Sequence, residues 1–202
     1  LLGTFAPYIT VNQASLVKIE EDIPLQTAAL LGCGVATGWG SAVEIGGTHA
    51  GDIVVVVGVG GVGINSVQGA AAAGARIVAA VDPVPFKRQM AEKMGATHTF
   101  ESMEEALPVL GEISWGKMAN TTILTVGEID GSMIQPALSL TGKGGQVIVT
   151  GMGNFSSMDA QMNLFELTLL QKRVQGAIFG GASPRTQVPT LLNEYRAGKL
   201  NL

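Results

Sequence analysis

The sequence predicts an α/β fold built on a doubly wound, six-stranded parallel sheet in the order 3-2-1-4-5-6. Three observations carry that expectation. Ile53-Val54-Val55-Val56-Val57 is a β-branched run with no polar interruption, as a strand buried on both faces of a parallel sheet requires. Gly58-Val59-Gly60-Gly61-Val62-Gly63 follows at once and opens an Ala-rich stretch, so glycine turns the strand directly into a helix. Strand-like and helix-like segments then alternate to residue 179, which gives six strands in two successive halves.

In chain order, Tyr8-Ile9-Thr10-Val11 and Leu16-Val17-Lys18-Ile19 read as short strands around Asn12-Gln13-Ala14-Ser15. Residues 24–31 read as a helix with Pro24 near its first turn. Residues 32–41 hold four glycines in ten, which weakens an isolated helix but lets a backbone approach another helix or a ligand closely. Beyond the glycine turn, residues 64–73 form a helix ended by Gly74, and residues 76–81 form the second strand. A helix over 83–94 carries Lys87, Arg88 and Lys93. The third strand is 98–100, followed by a helix over 101–111 and a fourth strand over 121–126. A helix over 132–140 precedes the fifth strand, 146–150. A Leu-rich helix over 164–172 leads to the sixth strand, 174–179, and an amphipathic helix over 188–197 is capped by Gly198.

Composition narrows the classes. Of 202 residues, 47% are hydrophobic and only 14% charged, enough apolar material for a large core and a surface partly hidden by a partner or second domain. A net charge of −4 with no basic cluster argues against nucleic acid as a partner. No apolar run reaches the roughly 18 residues of a membrane span. Leu1-Leu2-Gly3 offers neither a charged leader region nor an initiator methionine, so a piece of a longer or processed chain is expected. The single cysteine, Cys33, excludes an internal disulfide and suits a reducing cytoplasm.

The glycine turn has a chemistry of its own. Gly58 allows the tight exit from the strand, Gly60 lets a pyrophosphate approach the backbone, and Gly63 lets the helix pack on the strand. The helix start offers free N–H groups and positive dipole to phosphates. Asp82 lies 24 positions past Gly58 (82 − 58), at the end of the second strand. There it can accept from two ribose hydroxyls and would repel a 2′-phosphate, which favours NAD over NADP. A ligand belongs at the carboxyl ends of the strands, near residues 58–63, Asp82, Val126 and Thr150-Gly151-Met152.

These residues, with Leu31-Gly32-Cys33-Gly34-Val35-Ala36-Thr37-Gly38-Trp39-Gly40-Ser41-Ala42 and Gly176-Ala177-Ile178-Phe179-Gly180-Gly181, resemble the coenzyme-binding part of the medium-chain, zinc-dependent alcohol dehydrogenases. The resemblance covers essentially the whole chain and is greatest to the actinobacterial branch that includes nicotinoproteins. It implies a Rossmann NAD(P)-binding domain over 37–181, the tail of a GroES-like catalytic domain over 1–36, and the start of a return to that domain over 182–202. It implies that Cys33 is a ligand of a catalytic zinc and that Thr37 lies beside the nicotinamide. Gly58, Val59, Gly60, Gly61, Val62 and Gly63 would hold the pyrophosphate. Asp82 and Lys87 would contact the adenosine ribose, and the backbone at Ile178 and Phe179 would meet the nicotinamide amide. The family's other zinc ligands lie in the catalytic domain, and His49 and His98 match none of them.

The activity so implied is NAD-dependent, zinc-assisted oxidation of a small alcohol or reduction of an aldehyde. This chain alone is expected to bind NAD without turnover. A homodimer or higher homo-oligomer through residues 160–180 and a cytoplasmic setting go with it, and a membrane role does not. Two alternatives stand beside this reading: a stand-alone NAD-sensing or structural domain, and a zinc-free medium-chain reductase, against which Cys33 within Gly-Cys-Gly argues.

Overall fold

The computed structural model describes residues 6–202; the first five residues of the expected 1–36 segment lie outside that range. Six parallel strands form the sheet: β1 (Ile53–Val57), β2 (Ile77–Val81), β3 (His98–Phe100), β4 (Ala119–Leu124), β5 (Thr141–Val149) and β6 (Arg173–Gly176). Their spatial order is β3-β2-β1-β4-β5-β6, the predicted one. β1 is central, with Val54 beside Val78 on one flank and Thr121 on the other. The order reverses between β1 and β4, and the carboxyl ends of those two strands frame the cleft described below.

Helices cover both faces because every residue of β1 and β2 is buried. Ile53, Val55, Val57, Ile77 and Val81 point to one side, against α5 (Met103–Ile113) and α6 (Ile134–Leu140). Val54, Val56 and Val78 point to the other, against α3 (Gly63–Ala72), α4 (Pro85–Lys93) and the segment of α2 (Gly34–Gly40) that runs on as a π turn, Ser41–Ile45. The glycines of α2 serve close approach: a Cβ on Gly38 would lie 2.0 Å from the Val62 carbonyl oxygen at the start of α3. A third cluster joins the chain's two ends, with Leu31, Val35 and Trp39 packed on Leu191 and Leu192 of α8 (Pro184–Arg196).

The structure departs from the sequence reading in several places. The expected strands at 8–11 and 16–19 do not form among the described residues, and a 3-10 turn, Gln13–Ser15, separates them, started by the Asn12 side chain accepting from Ala14 N–H. The helix expected over 24–31 is one α turn, α1 (Leu25–Ala28), tightening into a 3-10 turn. β5 begins five residues early because Thr141 already pairs with Ala119, after which the ladder slips before resuming at Gln146. The Leu-rich helix, α7 (Leu164–Leu169), is three residues shorter than expected and β6 ends at Gly176. α8 starts at Pro184, whose missing N–H costs nothing in a first turn. A two-residue parallel pair, Glu128–Ile129 with Met152–Gly153, carries no sequence signal. Among the described residues no single helix is long and apolar enough to cross a membrane.

Candidate functional site

The cleft starts where β1 ends. Gly58 takes φ +85°, a left-handed conformation that suits glycine. Its carbonyl oxygen accepts from Thr125 Oγ1 at 2.7 Å, and the same hydroxyl lies 3.0 Å from the Val57 carbonyl oxygen. A Cβ on Gly63 would lie 2.0 Å from the Gly58 carbonyl oxygen, so the first turn of α3 is pressed against the turn that precedes it. Gly60 and Gly61 differ: a Cβ on either would have no neighbour within 4 Å. The tip of the turn therefore faces open space, and no side chain caps α3 behind it. That pairing of open backbone and uncapped helix start is a cradle for phosphate oxygens.

Asp82 sits at the end of β2 and is 3% exposed. Its Oδ2 accepts from Val59 N–H at 3.0 Å and its Oδ1 from Val84 N–H at 2.9 Å. Lys87 Nζ stands 3.5 Å from Oδ2, and Arg88 Nη1 donates to the Asp82 carbonyl at 2.7 Å. The carboxylate thus braces the glycine turn against the start of α4 while keeping lone pairs for a ligand. Asp82, Lys87, Gly58, Gly60, Val126 and Met133 line a cavity of about 410 Å³.

On the other side of the turn lies a second cavity, of about 630 Å³, lined by Cys33, Thr37, Val62, Val126, Thr150, Gly151, Ile178 and Phe179 among others. The two cavities share Thr125, Val126 and Gly127 as a common wall. One continuous groove thus crosses the carboxyl ends of β2, β1, β4 and β5, with the glycine turn at its middle. Phe179, Gly180 and Gly181 are three successive residues at positive φ, and a Cβ on Gly180 would lie 2.1 Å from the Ala36 carbonyl oxygen. This turn is therefore wedged against α2, and Gln187 Nε2 donates to the same Ala36 oxygen at 3.1 Å.

The expected site residues thus gather along one groove. Cys33 is exposed, lines the larger cavity, and also borders a further one beside Asn65, Met94 and Leu202. Among the described residues no group of three His, Cys, Asp or Glu could hold a metal, so Cys33 by itself does not make a zinc site. His49 lies at the opposite, amino-terminal end of the sheet, and the His98 ring meets Thr97 Oγ1 at the start of β3. Two lining residues were not singled out from sequence: Thr125 and Gly127. Their only signal is position, a small or hydroxyl residue next after or close to a strand end.

Residues 61–196 match the sequence profile of the zinc-binding dehydrogenases. The chain is 48% identical, over all 202 of its residues, to alcohol dehydrogenase B of Mycobacterium tuberculosis. It is 46% identical over the same length to an NDMA-dependent alcohol dehydrogenase of Amycolatopsis methanolica. It spans about half of these relatives, 54% of each. Among solved structures, benzyl alcohol dehydrogenase of Acinetobacter calcoaceticus superposes with a TM-score of 0.84 at 27% identity, covering 91% of this chain and 50% of that one.

Proposed function

The chain belongs to the zinc-binding dehydrogenase family, and on that premise we propose that it is the NAD-binding portion of an alcohol dehydrogenase acting on a small alcohol or aldehyde. The observation that carries this reading is the groove itself: an open glycine turn between two cavities, with a buried carboxylate at one end and Thr37 and Phe179 at the other. It lies at the switch point of the sheet, where dinucleotides bind in folds of this kind. The alcohol dehydrogenase names of relatives at 46–48% identity support the activity.

In this reading the residues divide the work by place. The open N–H groups at Gly60 to Gly63 hold the pyrophosphate. Asp82 accepts from the adenosine ribose, and its charge disfavours a 2′-phosphate; Lys87 offsets part of that charge from the more exposed side. Thr37, Gly151, Ile178 and Phe179 would enclose the nicotinamide end, in the cavity that Cys33 also lines. Bound NAD would supply the hydride acceptor. Cys33 is the one zinc ligand this chain would contribute. The domain division at residues 36 and 182, and a cytoplasmic setting, belong to the same proposal.

A second copy would pair along β6. Among the described residues that strand has only β5 as a neighbour, all four of its residues are exposed, and Phe165, Leu169, Val174 and Ile178 are exposed close to it in sequence.

Isothermal titration tests the proposal. NAD should bind with at least ten-fold preference over NADP, on the order of one lost charge-assisted contact. Equal or tighter NADP binding would remove Asp82 from its role. The chain alone, given alcohol, zinc and NAD, should form no NADH over many turnovers.

A further inference from the structure

The wall of the larger cavity contains a hydroxyl whose hydrogen-bonding direction can be deduced. Ser41 is fully buried, at the point where α2 passes into its π turn. Its Oγ lies 2.7 Å from the Thr37 carbonyl oxygen. A carbonyl can only accept, so the single Ser41 proton is committed there. The same Oγ lies 3.0 Å from Thr150 Oγ1. One of the two must donate, and Ser41 has no proton left, so Thr150 donates. The Thr150 proton is then committed as well, and only acceptor lone pairs remain on its oxygen. Thr150 is held at the end of β5 by its N–H, which donates to the Leu124 carbonyl at 2.9 Å. It lines the cavity beside Thr37, Gly151 and Ile178, and its hydroxyl makes no other bond among the described residues.

We propose that Thr150 Oγ1 is an acceptor-only contact for the amide nitrogen of the nicotinamide carboxamide, and that Ser41 sets this polarity from behind the cavity wall. The proposal rests on the coenzyme reading above and adds to it a means of choosing between ring substituents. A carboxamide brings the N–H donor such an acceptor needs. A ketone or a carboxylate in its place would set oxygen or methyl against the Thr150 lone pairs.

The test is a titration with two probes: NAD, and the analogue in which 3-acetylpyridine replaces nicotinamide, so that a methyl group stands where the amide nitrogen was. The unmodified protein should favour NAD by roughly 5- to 30-fold, the span expected for one satisfied against one unsatisfied hydrogen bond. Thr150→Val should lower NAD affinity by the same factor and leave acetylpyridine binding unchanged. Thr150→Ser, which keeps the hydroxyl, should restore the preference. Ser41→Ala frees the Thr150 proton and should shrink the preference without abolishing NAD binding. Melting curves of each variant separate these effects from misfolding. Two results would overturn the proposal: Thr150→Val binding NAD as well as the parent does, or losing both probes equally, which would make Thr150 a packing residue or a donor. If the unmodified protein bound neither probe, the coenzyme reading itself would fall.

Discussion

At the scale of single residues, the glycines of the turn divide into those that hold the fold and those that leave room for a ligand. A methyl group on Gly63 would meet the Gly58 carbonyl oxygen at 2.0 Å and Thr125 Oγ1 at 2.6 Å, with no flexible side chain to give way. Gly63→Ala should therefore destabilise the protein by about 2–3 kcal/mol, as overpacking does, and this is read as a shift in the denaturant midpoint. A methyl group on Gly60 would meet nothing within 4 Å. Gly60→Ala should leave the midpoint within about 0.5–1 kcal/mol of the parent, yet weaken NAD binding about ten-fold or more by occupying the space of the pyrophosphate. If Gly60→Ala bound NAD normally, the turn would not be the phosphate cradle. The motif showed in the sequence because its parts are contiguous: strand, glycines, helix and acidic residue all fall within residues 53–82. Thr125 did not show, because a hydroxyl after a strand gains meaning only once the register of β1 and β4 brings it to the groove.

At the scale of elements, the same contrast explains which boundaries could be read. β1 and β2 were legible because their apolar runs alone bury them. The early start of β5 was not, since it depends on Thr141 meeting Ala119 across the sheet and on Thr141 Oγ1, which donates to the Ala137 carbonyl, accepting from Thr122 Oγ1 at 2.9 Å. The end of α7 is likewise set from outside the helix. Lys172 is buried just beyond it, donating to the Leu138 carbonyl of α6 at 2.7 Å and to Glu166 Oε1 on α7 at 2.5 Å. One ammonium group thus clips α7 to α6 next to the edge strand. The hydrogen bond from Lys172 holds the Glu166 carboxyl below its usual pKa; burial opposes this, and Gln135 adds to it. A carboxyl whose folded value is depressed adds stability above its unfolded value, about 4.3. That stability fades as pH falls from there through the lower folded value. Unfolding followed from pH 7 to pH 3 should therefore show an acid loss that is smaller in Glu166→Gln, which should also be less stable at pH 7 by about 2 kcal/mol because Lys172 stays buried without its carboxylate. An unchanged acid limb in that variant would mean the clip contributes nothing.

At the scale of the whole molecule, a parallel sheet gives every crossover helix the same direction. The helix starts, and their positive ends, gather at the groove, where α3 meets the glycine turn. The helix ends, with their partial negative charge, gather at the opposite edge. There the chain places a cation three or four residues past each of four helices: Arg76 after α3, Lys117 after α5, Lys143 after α6 and Arg173 after α7. All four line one cavity of about 680 Å³ with His49 and Asp52, and none forms an ion pair among the described residues. That grouping follows from helix direction, since each cation stands just past the carboxyl end of a helix. Each helix end carries about half a negative charge, so four of them offset roughly two of the four positive charges. The arrangement should then support the fold more than it attracts a partner. Lys117→Glu combined with Lys143→Glu should lower stability by about 1 kcal/mol in 20 mM salt, and by much less in 1 M salt, where the screening length falls to about 3 Å. Urea unfolding at both salt concentrations measures this. A loss that persists undiminished at high salt would mean the two lysines act through packing, and the electrostatic account of this edge would fail.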